Sequence, residues 1–444
     1  RGCCMPVWRR HADRGGGPHV DRVGIGLLGY GTVGSGVGKL LARNAEDIRL
    51  ATGREVYLKR VLEKDPGFSA PDLDPALLTT RFEDILEDPD IDIVVELIGG
   101  TGAALDFQRR ALRAGKHVIT ANKQLLAQYG AELFDAAEEG GVHLRFEASA
   151  VGAVPIVKVL RESLVAADVR TVYGIVNGTT NYMLSAMAVT GAEYDDVLKE
   201  AQRLGYAEAD PTEDVGGKDA AAKMAILSSI AFHSRTRLAD VEYEGITNVS
   251  ALDIAHGKRL GLVAKLLGVA KLVNGSMNVR VYPAFLPGSH PLAGVSGAYN
   301  AVFLESDTFD EIMLFGPGAG SVPTASAVIG DVISIVNTVK GSYTRNCLCY
   351  RDLSFFPDAD MVSRFYLRLR VVDQPGVLAR ISALFGDEGV SIESMVQEGR
   401  GDEAELVLVL HPVREEQFFT ALGKIKALGE VHGEPSVIRV EGES

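Results

Sequence analysis

The sequence is poor in cysteine and contains no apolar run that approaches the length of a membrane span. The four cysteines are Cys3, Cys4, Cys347 and Cys349. An adjacent pair and a C-x-C pair do not form the C-x2-C spacing that is usual for tetrahedral zinc, so we interpret them as incidental thiols in a reducing compartment. A helix that crosses a bilayer needs about 20 apolar residues, which excludes a membrane-spanning protein at the level of sequence.

Positive charge is also in deficit, because 45 lysines and arginines stand against 59 aspartates and glutamates. The net charge of -14 argues against nucleic acid or an anionic membrane as a partner. The first twenty residues lack the apolar stretch of a secretory signal, so we expect a disordered extension at 1–20 and a cytoplasmic protein. The length of 444 residues predicts two or three domains.

Short apolar runs alternate with helical stretches over residues 21–151. This alternation is typical of βαβ units, and it predicts an α/β, Rossmann-type dinucleotide-binding domain with a parallel sheet. Longer strands and helices over 152–340, including a predicted helix at Ser250–Leu267, indicate an α+β substrate-binding and dimerisation domain. A polar stretch at 341–363 predicts a linker. The order βαββαβ over 364–444 predicts a ferredoxin-like domain.

The first apolar strand is followed by the loop Gly29-Tyr-Gly31-Thr-Val-Gly34, which opens a helix as a dinucleotide-binding fingerprint requires. The first glycine permits a tight turn, the second lets the backbone approach a pyrophosphate, and the third allows close packing of helix on strand. The cofactor-binding residues predicted in this loop are Gly29, Gly31, Thr32, Val33 and Gly34. After the second strand, Glu63 would favour NAD and Lys64 would favour NADP, so the sequence leaves the choice open.

An acidic, turn-forming loop between two predicted helices leads to the main catalytic candidates. The loop lies between Gly205 and Lys218, and Asp219 and Lys223 follow it on one face of a helix at an i,i+4 spacing. Surface ion pairs share this spacing, but the apolar residues around the pair, such as 220–222, predict a partly buried helix. A buried lysine needs a carboxylate partner, and burial tunes such a group for proton transfer.

Over residues 201–223 the sequence resembles the signature of the homoserine dehydrogenases, A-x3-G-Y-A-x2-D-P-x2-D-V-x-G-x-D-x3-K. Similar matches to this family occur at 95–101, 120–123 and 316–324, so the resemblance covers roughly 23–339. It implies an NAD(P)-dependent interconversion of L-aspartate 4-semialdehyde and L-homoserine, in the biosynthesis of threonine, methionine and isoleucine.

The same resemblance implies roles for individual residues. Lys223 would handle the hydroxyl proton while hydride moves to or from the nicotinamide, and Lys123 would assist at the reacting oxygen and the cofactor. Glu208 would bind the substrate ammonium group, and Asp219 and Asp214 would belong to the same substrate-binding set. The other implied cofactor contacts are Lys64, Ile98, Gly99, Thr101, Lys123, Gly205 and Gly320. The ligands implied for a monovalent cation (Na or K), mostly through main-chain oxygens, are Glu147, Ala150, Gly152 and Val154.

The order of residues that is usual in the family is not kept at Ala150-Val151, within the segment implied to bind the cation.

The C-terminal unit carries Asp373-Gln-Pro375-Gly376 between a strand and a helix, and it resembles an ACT domain. This resemblance implies an amino-acid effector, most plausibly threonine as the pathway end product, and a dimerisation module without ligand is the alternative. We also expect a homodimer or a homotetramer.

Two other functions compete with this interpretation, one of them an enzyme and the other a protein of a different class. One is another semialdehyde or amino-acid dehydrogenase, which the helix with Asp219 and Lys223 after its acidic loop disfavours. The other is a non-catalytic amino-acid sensor that kept the fold. A sensor would have no reason to retain Lys123 and Glu208 together with those two residues.

Overall fold

The computed structural model describes residues 22–338, 347–399 and 404–442, and the extension expected at 1–20 lies outside them. The strands are β1 (Arg22–Leu28), β2 (Glu55–Leu62), β3 (Leu78–Thr79), β4 (Ile93–Glu96), β5 (His117–Thr120), β6 (Leu144–Arg145), β7 (Val169–Ile175), β8 (Glu242–Tyr243), β9 (Leu262–Val273), β10 (Ser276–Pro287), β11 (Tyr299–Ser306), β12 (Asp310–Pro317), β13 (Val362–Val371), β14 (Ile392–Glu398), β15 (Ala404–Leu410), β16 (Val413–Arg414) and β17 (Val431–Val440). The α-helices are α1 (Thr32–Arg43), α2 (Ala45–Thr52), α3 (Glu83–Leu86), α4 (Ala103–Arg113), α5 (Lys123–Gly140), α6 (Ile156–Lys158), α7 (Gly178–Thr190), α8 (Tyr194–Arg203), α9 (Thr212–Val215), α10 (Lys218–Ala231), α11 (Ala251–Arg259), α12 (Ser321–Thr338), α13 (Val377–Asp387) and α14 (Glu415–Lys426).

The first sheet is parallel throughout and has the strand order β3-β2-β1-β4-β5-β6. Helices cover both of its faces, which is why β1 and β4 are continuous apolar runs rather than alternating ones. On one face α1 packs against α12, although α12 comes after the second sheet in the chain. The order of strands reverses between β1 and β4, and ligands of such sheets bind at this switch point, beyond the carboxyl ends of the strands. The predicted Rossmann-type domain is confirmed.

The second sheet joins the middle of the chain to its C-terminal part, in the order β12-β11-β7-β9-β10-β17-β13-β15-β14. Neighbours in this order are antiparallel except at the junction, where β10 and β17 pair in parallel. The C-terminal unit has its own core, in which the rings of Phe365 and Phe418 stack with their centroids 3.8 Å apart. Its elements follow the predicted βαββαβ order, so the ferredoxin-like topology is confirmed, with the two-residue β16 as an addition.

Buried ion pairs attach the C-terminal unit to the middle one. Arg368 on β13 donates to both carboxylate oxygens of Asp253 on α11, at 2.7 and 3.1 Å. Glu415, the first residue of α14, accepts a hydrogen bond from Arg280 on β10 at 2.9 Å. Charge-assisted bonds of this kind are among the strongest polar contacts in proteins, so they constrain the junction in addition to the shared sheet.

One prediction within the middle unit is wrong. The helix expected at Ser250–Leu267 ends at Arg259, and Gly261, with a φ of 75°, turns the chain into β9. Residues 264–270 are buried without interruption, because β9 lies between β7 and β10 and is covered on both faces. Such a strand has no alternation, so its sequence cannot be distinguished from a buried helix by periodicity.

The stretch expected to be a linker at 341–363 is described from residue 347 onward, and it lies along the middle unit. The N–H of Arg351 donates to the carbonyl of His233 at 2.8 Å, and the N–H of Met277 donates to the carbonyl of Ser354 at 2.8 Å. Strand β13 begins at Val362. Within the described part of the chain, no helix is both long enough and apolar enough to cross a membrane.

Candidate active site

The glycine loop lies at the switch point between β1 and α1. Gly29 has a φ of 92°, which favours glycine, and a Cβ added at Gly34 would lie 2.2 Å from the carbonyl oxygen of Gly29. These two glycines are therefore required by the protein's own packing. A Cβ added at Gly31 would meet no atom within 4 Å, so the space above Gly31 is open to a ligand. The open space lies at the N-terminus of α1, where backbone N–H groups favour phosphate.

A buried glutamate shapes the neighbouring loop, and our sequence interpretation gave it no role. Glu96 ends β4, and its carboxylate accepts hydrogen bonds from the N–H groups of Ile98 and Gly99 at 2.9 and 3.0 Å. It also accepts from Thr120 at 2.7 Å, at the end of β5. The predicted cofactor contacts Ile98 and Gly99 are thus held at the same edge of the sheet as the glycine loop.

Two lysines and one aspartate meet at this edge. The Nζ of Lys123, the first residue of α5, lies 2.5 Å from Asp219 Oδ1, and the Nζ of Lys223 lies 2.8 Å from Asp219 Oδ2. The Lys223 side chain is 13% exposed and that of Asp219 is 5% exposed. The structure therefore brings together three residues that the sequence predicted for one site. Lys123 is on α5 of the dinucleotide-binding domain, whereas Asp219 and Lys223 are on α10 of the middle unit.

The electrostatics of this cluster follow from its burial. Burial alone would raise the pKa of Asp219, but the ammonium groups of Lys223 and Lys123 outweigh it and hold that pKa well below its usual range. Burial lowers the pKa of Lys123, and the carboxylates of Asp219 and Asp214 more than reverse the effect, so the net direction is upward. At neutral pH the aspartate is ionised and Lys123 is charged.

Asn177 is a site residue that the sequence interpretation missed. Its Nδ2 lies 2.9 Å from Asp219 and 2.8 Å from Asp214, and its Oδ1 accepts the N–H of Thr180 as the N-cap of α7. The available signal was an asparagine followed by Gly-Thr-Thr, which is a helix start, but α7 itself was not predicted. The preceding residue, Val176, contributes its carbonyl oxygen, which accepts a hydrogen bond from Lys223 at 2.7 Å.

The acidic loop ahead of α10 is partly engaged by the protein and partly free. Asp214 accepts hydrogen bonds from Asn177 and from Thr179 Oγ1, the second at 3.3 Å. Glu208 is exposed, and among the described residues its carboxylate has no hydrogen-bond partner. Gly205, with a φ of 80°, is exposed after the end of α8 and has no atom within 4 Å of an added Cβ.

The segment implied to bind a cation packs against the second glycine loop, 316–320. A Cβ added at Gly152 would lie 2.2 Å from the carbonyl oxygen of Gly318, and the N–H of Ala153 donates to Pro317 at 3.2 Å. The Glu147 carboxylate caps the following helical segment by accepting from the N–H of Val157 and of Lys158, at 2.9 and 2.7 Å. Both oxygens of that carboxylate are therefore used in hydrogen bonds within the protein.

The donors and the charge at this edge match a nicotinamide dinucleotide. The glycine loop leaves room for the pyrophosphate, Glu96 holds the loop that follows β4, and the lysine–aspartate cluster keeps two ammonium groups beside the carboxyl end of β5. Such an arrangement can orient a hydride donor against the carbonyl carbon of a substrate and keep a proton next to the carbonyl oxygen. This is the chemistry of dinucleotide-dependent dehydrogenases.

Family models divide the chain into three matches. Residues 29–147 match the homoserine dehydrogenase NAD-binding domain, residues 155–333 match homoserine dehydrogenase, and residues 365–430 match the ACT domain. The homoserine dehydrogenase of Synechocystis is 45% identical over 436 residues, which cover 94% of this chain and 99% of that protein. The homoserine dehydrogenase of Corynebacterium glutamicum is 44% identical, with 94% and 96% covered.

Solved structures give the same result. The homoserine dehydrogenase of Thiobacillus denitrificans superposes with a TM-score of 0.90 at 41% identity, covering 95% of this chain and 98% of that one. A hyperthermophilic archaeal homoserine dehydrogenase in complex with NADPH has a TM-score of 0.61 at 27% identity, covering 73% of this chain and 100% of that one. The chain belongs to the homoserine dehydrogenase family and is an oxidoreductase of that activity, with a C-terminal ACT domain. The two competing functions are thereby set aside.

Proposed function

We propose that Lys223 is the catalytic acid and base of the reaction and that Lys123 assists it. The observation that carries this proposal is the Asp219 carboxylate between the two ammonium groups. An ammonium group has three donors. Asp219 and the Val176 carbonyl use two of those on Lys223, and within the described residues the third has no partner and is free for a substrate oxygen.

A bound nicotinamide cofactor supplies the hydride in one direction and accepts it in the other. In the reduction of aspartate 4-semialdehyde, Lys223 donates its proton to the carbonyl oxygen as that oxygen becomes the hydroxyl of homoserine. In the oxidation, Lys223 takes the hydroxyl proton back. Asp219 orients the lysine, and Lys123 adds a second positive charge beside the reacting oxygen.

The substrate carries an ammonium and a carboxylate group, and we propose Glu208 for the ammonium because its carboxylate is exposed and free. Asp214 is more constrained, since Asn177 and Thr179 already donate to it. Asp219 accepts three hydrogen bonds from the protein, so we propose that it acts on the substrate mainly through the two lysines.

The substrate role is tested by steady-state kinetics of Glu208→Gln. We expect KM for homoserine to rise about tenfold or more, with a smaller change in kcat, because a charge-assisted contact to the ammonium is lost. The matched control is Glu213→Gln, in the same loop, whose exposed carboxylate pairs with Lys218 at 2.8 Å. If both variants keep the KM of the wild type, Glu208 does not bind the ammonium group.

For the cofactor, we propose binding at Gly29, Gly31, Thr32, Val33 and Gly34, at Ile98, Gly99 and Thr101, and at Lys64, Lys123, Gly205 and Gly320.

We also propose that the enzyme prefers NADP to NAD. Glu63 accepts a short hydrogen bond from the N–H of Tyr30, while the adjacent Lys64 is exposed and available to a 2′-phosphate. The archaeal relative with bound NADPH supports this choice. Lys64→Ala should raise KM for NADPH about tenfold and leave KM for NADH unchanged. Equal effects on both would contradict the preference.

We propose that a monovalent cation binds the main-chain oxygens near Ala150 and Gly152. The carbonyl oxygens of Glu147 and Val154, which the sequence resemblance also implies as ligands, accept N–H groups at 3.3 and 2.8 Å. Among the described residues no donor bonds the carbonyls of Ala150 and Gly152, so these two are the better candidates. Thermal unfolding in KCl, NaCl and tetramethylammonium chloride of equal ionic strength tests the site. Identical midpoints in all three would contradict it.

We propose that threonine inhibits the enzyme through the ACT domain. The support is the buried junction, where β10 and β17 pair and Arg368 binds Asp253, because it gives an effector site a structural connection to the catalytic unit. Adding threonine to the activity assay is the test, and a flat dose response would contradict it.

We further propose a homodimer or homotetramer, since edge strand β12 presents Phe315, 53% exposed, stacked on Tyr299. Light scattering would show a single-chain mass if this were wrong.

We also propose domain limits of 21–151, 152–340 and 364–444, with a linker at 341–363, and limited proteolysis tests them. A cytoplasmic location is a further proposal, which cell fractionation tests.

A further inference from the structure

Two of the four thiols lie together, outside the catalytic cluster. The N–H of Cys349 points at the Sγ of Cys347 at 3.4 Å, and the thiol of Cys349 is directed at the carbonyl oxygen of Ser229, 3.8 Å away on α10. The backbone is tightly turned here, because the N–H of Tyr350 donates to the carbonyl of Leu348 at 2.9 Å. Both thiols are half-buried and free.

The surroundings favour a thiolate on the first of the pair. Contact with the side chain and the backbone N–H of Cys349 lowers the pKa of Cys347 to about 6 in spite of burial, and the guanidinium groups of Arg235 and Arg161 act in the same direction. The same contact and burial raise the pKa of Cys349. The two thiols are therefore unequal, and Cys347 loses its proton more readily than Cys349.

Small molecules can reach both sulfurs. Cys347 and Cys349 line a cavity of about 120 Å³ between α5 and α10. That volume is several times what a water molecule requires, so hydrogen peroxide fits. A structural metal is a poor alternative, because the described residues contain no group of three or more His, Cys, Asp or Glu side chains that could hold one.

We propose that Cys347 and Cys349 are an oxidant-reactive pair, with Cys347 as the nucleophile and Cys349 as the resolving thiol, and that hydrogen peroxide is the oxidant. The Cys347 sulfur attacks one peroxide oxygen, the O–O bond breaks, and the departing hydroxide takes up a proton to leave as water. Cys347 is then a sulfenic acid. The Cys349 sulfur attacks it, the S–S bond forms and the S–O bond breaks, and the second water leaves with the thiol proton. The two sulfurs together lose two electrons and the peroxide gains two.

Oxidation of this pair reaches the catalytic helix. The disulfide removes the Cys349 thiol hydrogen that faces Ser229, on the helix that carries Asp219 and Lys223. The segment after the pair is also bonded to the residues that follow α10, through Arg351 to His233 and Leu353 to Ser234. We therefore expect kcat to fall at least threefold on oxidation, and to recover fully with dithiothreitol. This part rests on the proposed catalytic role of α10, whereas the thiol chemistry does not.

The test uses the full-length protein with Cys3→Ser and Cys4→Ser, so that only the pair remains. Treatment with hydrogen peroxide should produce an intramolecular disulfide, seen by mass spectrometry as a loss of two hydrogens from the peptide that contains both cysteines. Cys349→Ser should stop at a sulfenic acid that dimedone traps, and Cys347→Ser should react at least tenfold more slowly.

Three results would overturn the inference. Equal reactivity of the two single variants would remove the assigned roles, and a dimedone adduct without disulfide in the protein that retains both cysteines would remove the resolving step. A disulfide that forms while kcat stays unchanged would remove the link to α10 and leave the proposed mechanism of Lys223 untouched.

Discussion

Replacing Asp219 by asparagine is the most informative perturbation of the active site. The change keeps the shape of the side chain but leaves Lys223 and Lys123 without the carboxylate that pairs with both. Breaking a buried ion pair by removing one partner typically costs about 3–5 kcal/mol. Lys123 is 33% exposed and can be hydrated, so the lower end of that range, about 3 kcal/mol, applies here.

The expected loss is measurable by thermal unfolding of the purified variant. A destabilisation of 1 kcal/mol lowers the midpoint by about 2–4 °C in a domain of this size class, so we expect a fall of roughly 6–12 °C. Activity should fall by about 100-fold or more, since the lysines lose their orientation and Lys123 loses the group that raises its pKa. The control is Asp196→Asn, because Asp196 forms an exposed i,i+3 pair with Lys199 that contributes less than about 1 kcal/mol.

The pH dependence adds a second check with a defined sign. The pKa of Asp219 is depressed in the folded protein, so its stabilisation is present above the ordinary pKa of 3.8 and is lost as the pH falls through the lower folded value. The gap in stability between wild type and Asp219→Asn should therefore be constant near neutral pH and should narrow in acid. An Asp219→Asn protein with wild-type stability and activity would show that this carboxylate does not hold the two lysines in place.

Three further predictions involve the glycine loop, a buried carboxyl pair and the junction with the C-terminal unit. Gly31→Ala should keep the wild-type unfolding midpoint but weaken NADPH binding about tenfold or more, because its Cβ enters the space proposed for the cofactor. Gly34→Ala should lower the unfolding midpoint, because its Cβ meets the backbone of Gly29. Fluorescence titration and thermal unfolding distinguish the two variants, and equal behaviour would contradict the proposed position of the cofactor. Burial raises the pKa of Asp331 from 3.8 to about 6 and that of Glu147 from 4.5 to about 7, so stability is lost as the pH rises from the lower to the higher value of each group. Asp331→Asn should flatten the stability profile between about pH 4 and 6, and an unchanged slope there would contradict this. Arg368→Met leaves Asp253 buried without its arginine, so urea unfolding should show that the free energy of unfolding falls by about 3–5 kcal/mol. The response to threonine should also weaken. An unchanged free energy of unfolding would show that this pair does not constrain the junction.

The parts of the fold that a local pattern encodes could be predicted from sequence. Strand β2 ends at Leu62, directly before Glu63 as predicted, and the glycine loop at 29–34 lies between a strand and a helix as its spacing requires. Strand β9 could not be predicted, because burial on both faces removes the alternation that marks a strand. Helix α7 was missed for a related reason: it is buried on several sides, so no polar face reveals the helical period.

The site shows the same limit. The i,i+4 spacing placed Asp219 and Lys223 on one helical face, which is a local property. The contact of Asp219 with Lys123 joins α10 to α5, and the contact with Asn177 joins it to the start of α7. Such contacts depend on how the two sheets pack, and no short-range pattern contains that information. No sequence pattern distinguishes Cys347 and Cys349 from incidental thiols, because only the folded chain brings them against α10.

We propose above that Lys223 delivers and removes the proton of the reaction. The most direct measurement is the rate of NADPH oxidation with saturating aspartate 4-semialdehyde by Lys223→Met, after titration has shown that NADPH binds as in the wild type. We expect kcat to fall by a factor of about 100 to 10,000. The unfolding midpoint should stay within a few degrees of the wild-type value, because the Asp219 carboxylate keeps Lys123 and Asn177 as partners. A variant that binds NADPH and turns over within about twofold of the wild-type kcat would contradict the proposed role of Lys223.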